Sequence, residues 1–384
     1  MSEPENVWRN NLPELVLLAS VGMIGLLLLG GTRSPAQRGK TPGGANVVGG
    51  TAGPPRRIND LSSSVPARSA SEPAKLLVDA DVRFAEWTTP VSAGSQANPI
   101  DGQRAYEYLK QICAIGPRIS GTPGMQRQQQ LLAEHFDKLG GTVAWQRFRA
   151  RHPRSGQPVP MANLLVHWHA DRQRRILLCA HYDTRPLPDR DRNPGRRVSG
   201  RFLGANDGAS GVALLMELGH QMPQLDSPYG VDFLLVDGEE LVYGRGDPYF
   251  LGSEWFARQY VQQPLPYTYR WGVVLDMVAD ADLQIFQEKN SLWWRDTRPL
   301  VEQIWSTAAR LGVKEFVARP KHDVRDDHVK LRNIAKIPTC NIIDFDFGAN
   351  NRYWHTEADT PSKCSGESLA KVGWVVYEWL RTTP

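Results

Sequence analysis

The chain has 384 residues, 41% of them hydrophobic, and a formal net charge of +4 at pH 7. This length exceeds that of most single domains, so part of the chain is expected to lie outside the folded core. The basic balance does not indicate nucleic-acid binding, because residues 32–75 alone carry seven basic and two acidic side chains. A charged tether near a membrane surface explains that balance, and we predict no nucleic-acid partner.

The first predicted element is an apolar segment at residues 15–31, which follows a short N-terminal segment of residues 1–14. Its seventeen residues carry no charge, and this length is close to what is needed to cross a bilayer of about 30 Å. The charged flanks do not decide between a transmembrane anchor and a signal sequence. Because no A-x-A cleavage site closes the segment and no Cys follows it, a retained anchor is favoured.

Residues 32–75 form a linker rich in Gly, Pro, Ser and Ala, with almost no large apolar residue to offset the entropy of ordering. We predict a catalytic domain from residue 76 to residue 384, membrane-anchored or secreted and on the extracytoplasmic side. The four cysteines lie far apart without a CxxC motif, so the sequence leaves their disulfide status open: Cys113, Cys179, Cys340 and Cys364.

The predicted catalytic domain alternates helical and strand-like segments. Helical spacing occurs at residues 105–115, 126–139, 211–222, 252–262, 300–311 and 367–381. Apolar segments of strand length occur at residues 162–168, 176–180, 231–236, 272–277 and 337–343. This alternation predicts a single α/β domain with a central mixed, mostly parallel sheet and helices on both faces.

Acidic and imidazole side chains stand where these strands end, which is where α/β sheets bind ligands. They are His181 and Asp183, Glu239 and Glu240, Asp276, and His355 beyond the last strand, together with Asp207 in the turn GANDGASG. Asp207 taken alone reads as a helix N-cap. Taken together, these residues are the N/O ligand set of a catalytic zinc site.

The pair Glu239 and Glu240 indicates a division of roles, because adjacent residues beyond a strand point in different directions. We predict that Asp207, Glu240 and His355 bind the metal and that Glu239 transfers protons as general base and then general acid.

In this order and spacing the motifs resemble the zinc-dependent aminopeptidase family of α/β metallopeptidases, over most of the predicted domain. The resemblance implies a first zinc on Asp207, Glu240 and His355. In the two-zinc aminopeptidases, a second zinc takes the residues matching His181, Asp207 and Asp276. The one-zinc glutaminyl-peptide cyclotransferases keep similar residues without the second metal, so His181 and Asp183 are either second-metal ligands or supports of the first site.

Three features favour the cyclotransferase branch. Trp354 precedes His355 as in the WHT signature of that branch, whose indole walls the substrate pocket. Asp327 lies in a segment, Asp326-Asp327-His328, that resembles the DDH motif, and the resemblance implies a network with Glu239 and Asp276. The loop bearing Phe345 and Phe347 suggests an aromatic wall. As alternatives, Trp354 is ordinary core and the two aspartates cap a helix.

Other features depart from that branch. The GANDGASG turn is more typical of aminopeptidases, and no second Cys lies near it to form the disulfide of the animal cyclotransferases. Tyr243 lies in the loop where the animal enzymes carry a Trp, which makes it a candidate substrate contact. The arginine-rich loop at residues 185–201 is either a lid or, as favoured here, a solvated insertion.

The sequence thus predicts a glutaminyl-peptide cyclotransferase that converts N-terminal Gln to pyroglutamate with release of ammonia. One zinc would polarise the γ-carbonyl while Glu239 shuttles the proton. The alternatives are a di-zinc aminopeptidase that hydrolyses N-terminal residues, and a catalytically silent, membrane-tethered binding ectodomain. The expected partners are peptide or protein N-termini, and the membrane through residues 15–31; the enzyme is expected to be monomeric.

Overall fold

The computed structural model describes residues 97–384. The predicted N-terminal segment, apolar segment and linker, and the start of the predicted catalytic domain, lie outside the described residues. Between residues 97 and 384, no helix is both long and apolar enough to cross a membrane.

The described residues form eight strands: β1 (Thr142–Arg151), β2 (Pro158–Trp168), β3 (Arg174–His181), β4 (Gly230–Val236), β5 (Thr268–Asp276), β6 (Ile285–Glu288), β7 (Phe316–Lys321) and β8 (Thr339–Ile343). Six of them form one sheet in the order β1-β2-β4-β3-β5-β8, and β6 pairs with β7. In the large sheet, β1 and β2 pair antiparallel, as do β2 and β4. The pairings of β3 with β4, β3 with β5, and β5 with β8 are parallel. The predicted mixed, mostly parallel sheet is confirmed.

The five predicted strands are β2, β3, β4, β5 and β8, and their apolar composition follows from their position inside the sheet. Every residue of β4 is buried, as expected for a parallel strand covered on both faces. The sequence did not indicate β1, because this edge strand has exposed and half-buried positions and carries three arginines along ten residues.

The helices of the described region are α1 (Gly102–Ala114), α2 (Pro123–Lys138), α3 (Pro194–Ser199), α4 (Ser210–Gly219), α5 (Leu251–Gln262), α6 (Lys289–Trp293), α7 (Arg298–Leu311), α8 (Asp327–Asn333) and α9 (Gly366–Thr382). The six predicted helices are α1, α2, α4, α5, α7 and α9. Local signals fix several starts: Asp101 caps α1, Thr122 caps α2 ahead of a proline, and Ser365 caps α9. Helices α3, α6 and α8 are too short for a periodic pattern.

Helices cover both faces of the sheet. Because successive residues of a strand point to opposite sides, each strand contributes apolar side chains to both faces. Leu178 and Phe233 belong to the larger apolar cluster, shared with α1, α4 and α9. Leu177 and Leu234 belong to a second cluster, shared with α5 and α8. At Gly211, near the start of α4, an added Cβ would lie 2.1 Å from the carbonyl oxygen of Leu275. The helix therefore approaches β5 closely, and the turn before it meets the strand ends.

Candidate metal centre

The strand ends of the parallel part of the sheet bring the predicted site residues together. Strand β3 ends at His181 and β5 ends at Asp276, while Glu239 and Glu240 follow β4. Asp207 precedes α4, and His355 arrives from the loop after β8 with a positive φ of 56°. For a residue with a Cβ this conformation is uncommon, and such strain is often found at functional sites.

Two groups of side chains have ligand atoms close enough for a metal ion. Asp207, Glu240 and His355 form one group, and His181, Asp207 and Asp276 form the other; within each, the ligand atoms lie within 4.8 Å of one another. Nε2 of His355 is 2.8 Å from Oε1 of Glu240 and 3.3 Å from Oδ2 of Asp207. Nε2 of His181 is 3.2 Å from an oxygen of both Asp207 and Asp276. Asp207 thus belongs to both groups.

The chemistry of these side chains fits a divalent cation. Asp207, Glu239 and Glu240 are each at most 9% exposed, and Asp276 lines the same cavity. Burial, followed by the charge of Glu240, raises the pKa of Glu239 well above its usual range. Burial raises the pKa of Asp276 to about 7. Oε2 of Glu240 is buried and, among the described residues, accepts no hydrogen bond. A cation compensates such crowded carboxylates, and Asp, Glu and His ligands suit zinc.

Two further aspartates hold the backbone of the ligand-bearing turns. Asp183 accepts hydrogen bonds from the backbone N–H groups of Glu239 and Glu240, each at 3.0 Å. Asp359 accepts them from Asn206 at 2.7 Å and Asp207 at 3.1 Å. Asp183 therefore uses both of its carboxylate oxygens to orient the Glu239-Glu240 turn. It is absent from both ligand groups found among the described residues. This outer support is typical of metal sites.

Arg185 contacts the candidate ligand Glu240 directly, which the sequence did not indicate. The residue is 3% exposed, and its guanidinium donates hydrogen bonds to Glu240 at 2.9 Å, to Asp189 at 2.8 Å and to the hydroxyl of Tyr249 at 3.0 Å. Asp189 in turn lies 3.4 Å from Nδ1 of His355. The first part of the arginine-rich loop is therefore built into the site, while its continuation through α3 is exposed.

A cavity of about 830 Å³ opens over the candidate ligands Asp207, Glu240 and His355. Trp354 and Phe345 form part of its wall, with ring centroids 4.9 Å apart in an edge-to-face arrangement. The Trp354 ring lies 4.0 Å from that of His355. Phe347, the other predicted aromatic, is fully buried and packs on Tyr353.

Tyr243 points away from this wall. Its hydroxyl contacts Nε2 of His152 at 3.1 Å, and its ring lies under the guanidinium of Arg154. Tyr249, six residues further along the same loop, lines the cavity instead. The sequence indicates Tyr243 as the candidate substrate contact of this loop, and no local pattern distinguishes it from Tyr249.

The two aspartates before α8 have different surroundings. Asp326 lines the cavity, and one of its carboxylate oxygens accepts a hydrogen bond from Nδ2 of Asn341 at 2.7 Å. Asp327 is fully buried and accepts a hydrogen bond from the hydroxyl of Ser253. Asp326 also accepts the backbone N–H of Asp327 as the cap of α8. The structure thus places the first aspartate of the pair, rather than Asp327, on the cavity wall with Glu239 and Asp276.

Comparisons with known proteins are consistent with this geometry. The family model described as peptidase family M28 matches residues 163–380. The crystal structure of glutaminyl cyclase from Fimbriiglobus ruber is similar, with 41% identity, a TM-score of 0.70, and coverage of 75% of this chain and 97% of that chain. A leucine aminopeptidase precursor from Bacteroides thetaiotaomicron is also similar, with 28% identity, a TM-score of 0.68, and coverage of 75% and 99%.

A curated relative, the alkaline phosphatase isozyme conversion protein of Escherichia coli (strain K12), is 26% identical over 161 residues, which is 39% of this chain. The matched region spans less than half of that protein, 45% of its length.

Proposed function

The chain belongs to peptidase family M28, and we propose that within this family it is a zinc-dependent glutaminyl-peptide cyclotransferase. The proposed reaction converts the N-terminal Gln of a peptide or protein to pyroglutamate and releases ammonia. The observation that carries the proposal is Trp354, which walls the cavity directly against the predicted ligand His355. The similarity to solved glutaminyl cyclases supports it.

We assign one zinc ion to Asp207, Glu240 and His355. When bound there, zinc supplies Lewis-acid polarisation of the γ-carbonyl of the substrate glutamine. The protein must then position the α-amine near the γ-carbon, because the nucleophile belongs to the substrate itself. Trp354 and Phe345 provide an apolar wall against which the glutamine side chain packs.

Glu239 is the proposed proton carrier. Its side chain lines the cavity, and among the described residues no group donates a hydrogen bond to its carboxylate. The α-amine of the peptide has an ordinary pKa of about 7.7–8.0, so its neutral form is accessible. As the amine nitrogen bonds to the γ-carbon, Glu239 accepts one proton from it. Glu239 returns that proton to the amide nitrogen as the C–N bond breaks and ammonia leaves.

Asp276 and Asp326 share the cavity with Glu239 and are the proposed partners of the departing amide nitrogen. Asp326 takes the place in the network with Glu239 and Asp276 that the resemblance implied for Asp327, because Asp326 lines the cavity while an oxygen of Asp327 is held by Ser253. Asp327 then acts as a positioning residue for the start of α8.

The function is tested by incubating the zinc-loaded chain with a glutaminyl peptide and, separately, with amino-acid amides and unblocked peptides. Ammonia together with a pyroglutamyl product is the expected result. Release of free N-terminal amino acids without pyroglutamate would instead identify an aminopeptidase.

The aminopeptidase remains the second candidate, because His181, Asp207 and Asp276 form a second group with metal-binding geometry. In that case Glu239 would activate water. The similar leucine aminopeptidase precursor supports this alternative.

We further propose that the chain acts as a monomer on peptide or protein N-termini, outside the cytoplasm, with residues 15–31 as its membrane anchor. Fractionation of cells expressing the full chain and a chain lacking residues 1–31 tests the anchor. Recovery of the full chain in the soluble fraction would contradict it.

A further inference from the structure

The mouth of the cavity carries three exposed arginines from three separate loops. Arg190 follows β3, Arg245 follows β4, and Arg325 precedes α8, and all three line the cavity. Within residues 97–384, no carboxylate lies within ion-pairing distance of any of them. The guanidinium of Arg190 lies 4.0 Å from the ring centroid of Trp354, in the geometry of a cation–π contact.

The exposed carboxylates of the mouth balance only part of this charge. Asp189 is already engaged by the guanidinium of Arg185 at 2.8 Å. Asp323 accepts a hydrogen bond from the neutral amide of Asn290 at 2.7 Å and keeps its negative charge, which offsets one of the three arginines. The remaining acidic side chains of the cavity lie at its floor: Asp276 is half-buried there, and Asp207, Glu239, Glu240 and Asp326 are at most 9% exposed. The cavity therefore joins an acidic, metal-binding floor to a basic rim, which we define as Arg190, Arg245 and Arg325.

We propose that this basic rim selects peptides that carry a carboxylate side chain at the first or second residue after the N-terminal glutamine. The proposal rests on the proposed function, which places that glutamine at the floor of the cavity. An extended chain advances by about 3.5 Å per residue, so the next two residues leave the floor past the rim. Unpaired cations beside that path attract acidic side chains and repel basic ones.

The expected effect is moderate, because the rim is solvated. Each exposed ion pair with the peptide would raise its affinity by about 1.4-fold to fivefold. With three arginines, we expect kcat/KM for an acidic peptide to exceed that for a neutral one by about threefold to tenfold. The preference should weaken as salt is raised, since screening shortens the reach of exposed charges to about 8 Å at physiological ionic strength.

The test uses the zinc-loaded full chain and four C-terminally amidated peptides, Gln-Ala-Ala, Gln-Glu-Ala, Gln-Ala-Glu and Gln-Lys-Ala. Ammonia release gives kcat/KM, and titration calorimetry gives the Kd of each peptide independently of turnover. The expected order is acidic above neutral above Lys, with the differences reduced at high salt. The triple variant R190Q/R245Q/R325Q should bring the acidic-to-neutral ratio close to one. R310Q, an exposed arginine of α7 outside the cavity, is the matched control and should keep the wild-type ratio.

Equal kcat/KM and Kd for acidic and neutral peptides in the wild-type chain would overturn the proposal, as would an unchanged ratio in the triple variant. Failure of the proposed function has a different signature, because no peptide of the series would release ammonia. The Kd ratios would then still decide whether the rim selects acidic peptides.

Discussion

Arg185 and Glu240 form a buried ion pair at 2.9 Å, and the same oxygen of Glu240 lies 2.8 Å from Nε2 of His355. The Arg185 guanidinium is anchored by Asp189 as well. The guanidinium of Arg185 and the imidazole of His355 thus meet at one oxygen of Glu240, while its other oxygen, Oε2, is left without a hydrogen bond. The arrangement makes Arg185 a source of positive charge beside the candidate ligands, in addition to any metal bound there.

Arg185→Met should destabilise the metal-free protein more than the zinc-loaded protein. Removing one partner of a buried ion pair costs about 3 kcal/mol, because the other charge is left uncompensated. Bound zinc compensates Glu240 and reduces this cost. Thermal unfolding with zinc and with a chelator measures the difference. Arg197→Met, at an exposed arginine in α3, is the control, and an equal loss of stability with and without zinc would contradict the prediction.

Glu239→Gln should lower kcat by at least about a hundredfold, the low end of what general acid–base catalysis contributes, while zinc remains bound. The amide keeps the size of the side chain but cannot accept the proton. Ammonia release measures the first effect and metal analysis of the purified variant the second. Full activity in this variant would rule out Glu239 as the proton carrier.

The metal content should separate the two candidate reactions. For a cyclotransferase, the saturated wild-type chain should hold one zinc, His355→Ala should lose it, and His181→Ala should keep it. For a di-zinc aminopeptidase, the wild-type chain should hold two and His181→Ala should hold one. Atomic emission measurements on dialysed protein decide between these results.

Trp354→Ala should raise KM for glutaminyl peptides about tenfold, because it removes the wall beside His355 and the partner of Phe345. Trp354→Phe should have a smaller effect, since it keeps part of the apolar surface. The control is Trp293→Ala, at a tryptophan that is 57% exposed and lies outside the cavity. An unchanged KM in Trp354→Ala would mean that this ring does not contact substrate.

The pH dependence of stability should involve Glu288, which is 2% exposed and lies outside the metal centre. Burial acts to raise its pKa, but His328 and the backbone N–H groups of Asn290 and Ser291 outweigh burial and lower the pKa to about 2. A lowered carboxyl pKa stabilises the fold above the unfolded-state value of about 4.3. That stabilisation is lost as the pH falls toward about 2.

Glu288→Gln should therefore destabilise the protein by about 2–3 kcal/mol at pH 7 and by roughly half as much at pH 3, where part of the stabilisation from the lowered pKa is already lost. Urea unfolding at pH 7 and pH 3 measures the change, with metal-free protein at both. Glu302→Gln, at an exposed position of α7, should leave both values unchanged. If Glu288→Gln lowered the free energy of unfolding equally at both pH values, packing rather than the charge of Glu288 would stabilise the start of α6.

The main elements of the fold were predictable because each carries its own signal. The buried parallel strands are continuous apolar segments, and the long helices combine apolar spacing with local caps such as Thr122 and Ser365. Two kinds of element were not predictable. The edge strand β1 has no uniform pattern of burial, and the helices α3, α6 and α8 are only one or two turns long, which is too short to show a period.

The candidate ligands were predictable for a similar reason. Parallel strands bring their carboxyl ends to one edge, so His181, Glu240 and Asp276 had to lie near one another once the strands were recognised. Asp207 followed from its place before α4, and His355 from the family resemblance.

By itself, the sequence determined the fold class and most of the candidate ligand set, because both depend on patterns within single elements and on the direction of the strands; His355 needed the family resemblance as well. Only the tertiary structure decided which of several nearby residues face the cavity. Asp326, Phe345 and Tyr249 line it, whereas Asp327, Phe347 and Tyr243 do not. Adjacent or nearby loop residues have no fixed periodicity, so the packing of other elements sets their directions. The contact of Arg185 with Glu240 spans 55 positions of the chain, and no local pattern encodes such a pairing.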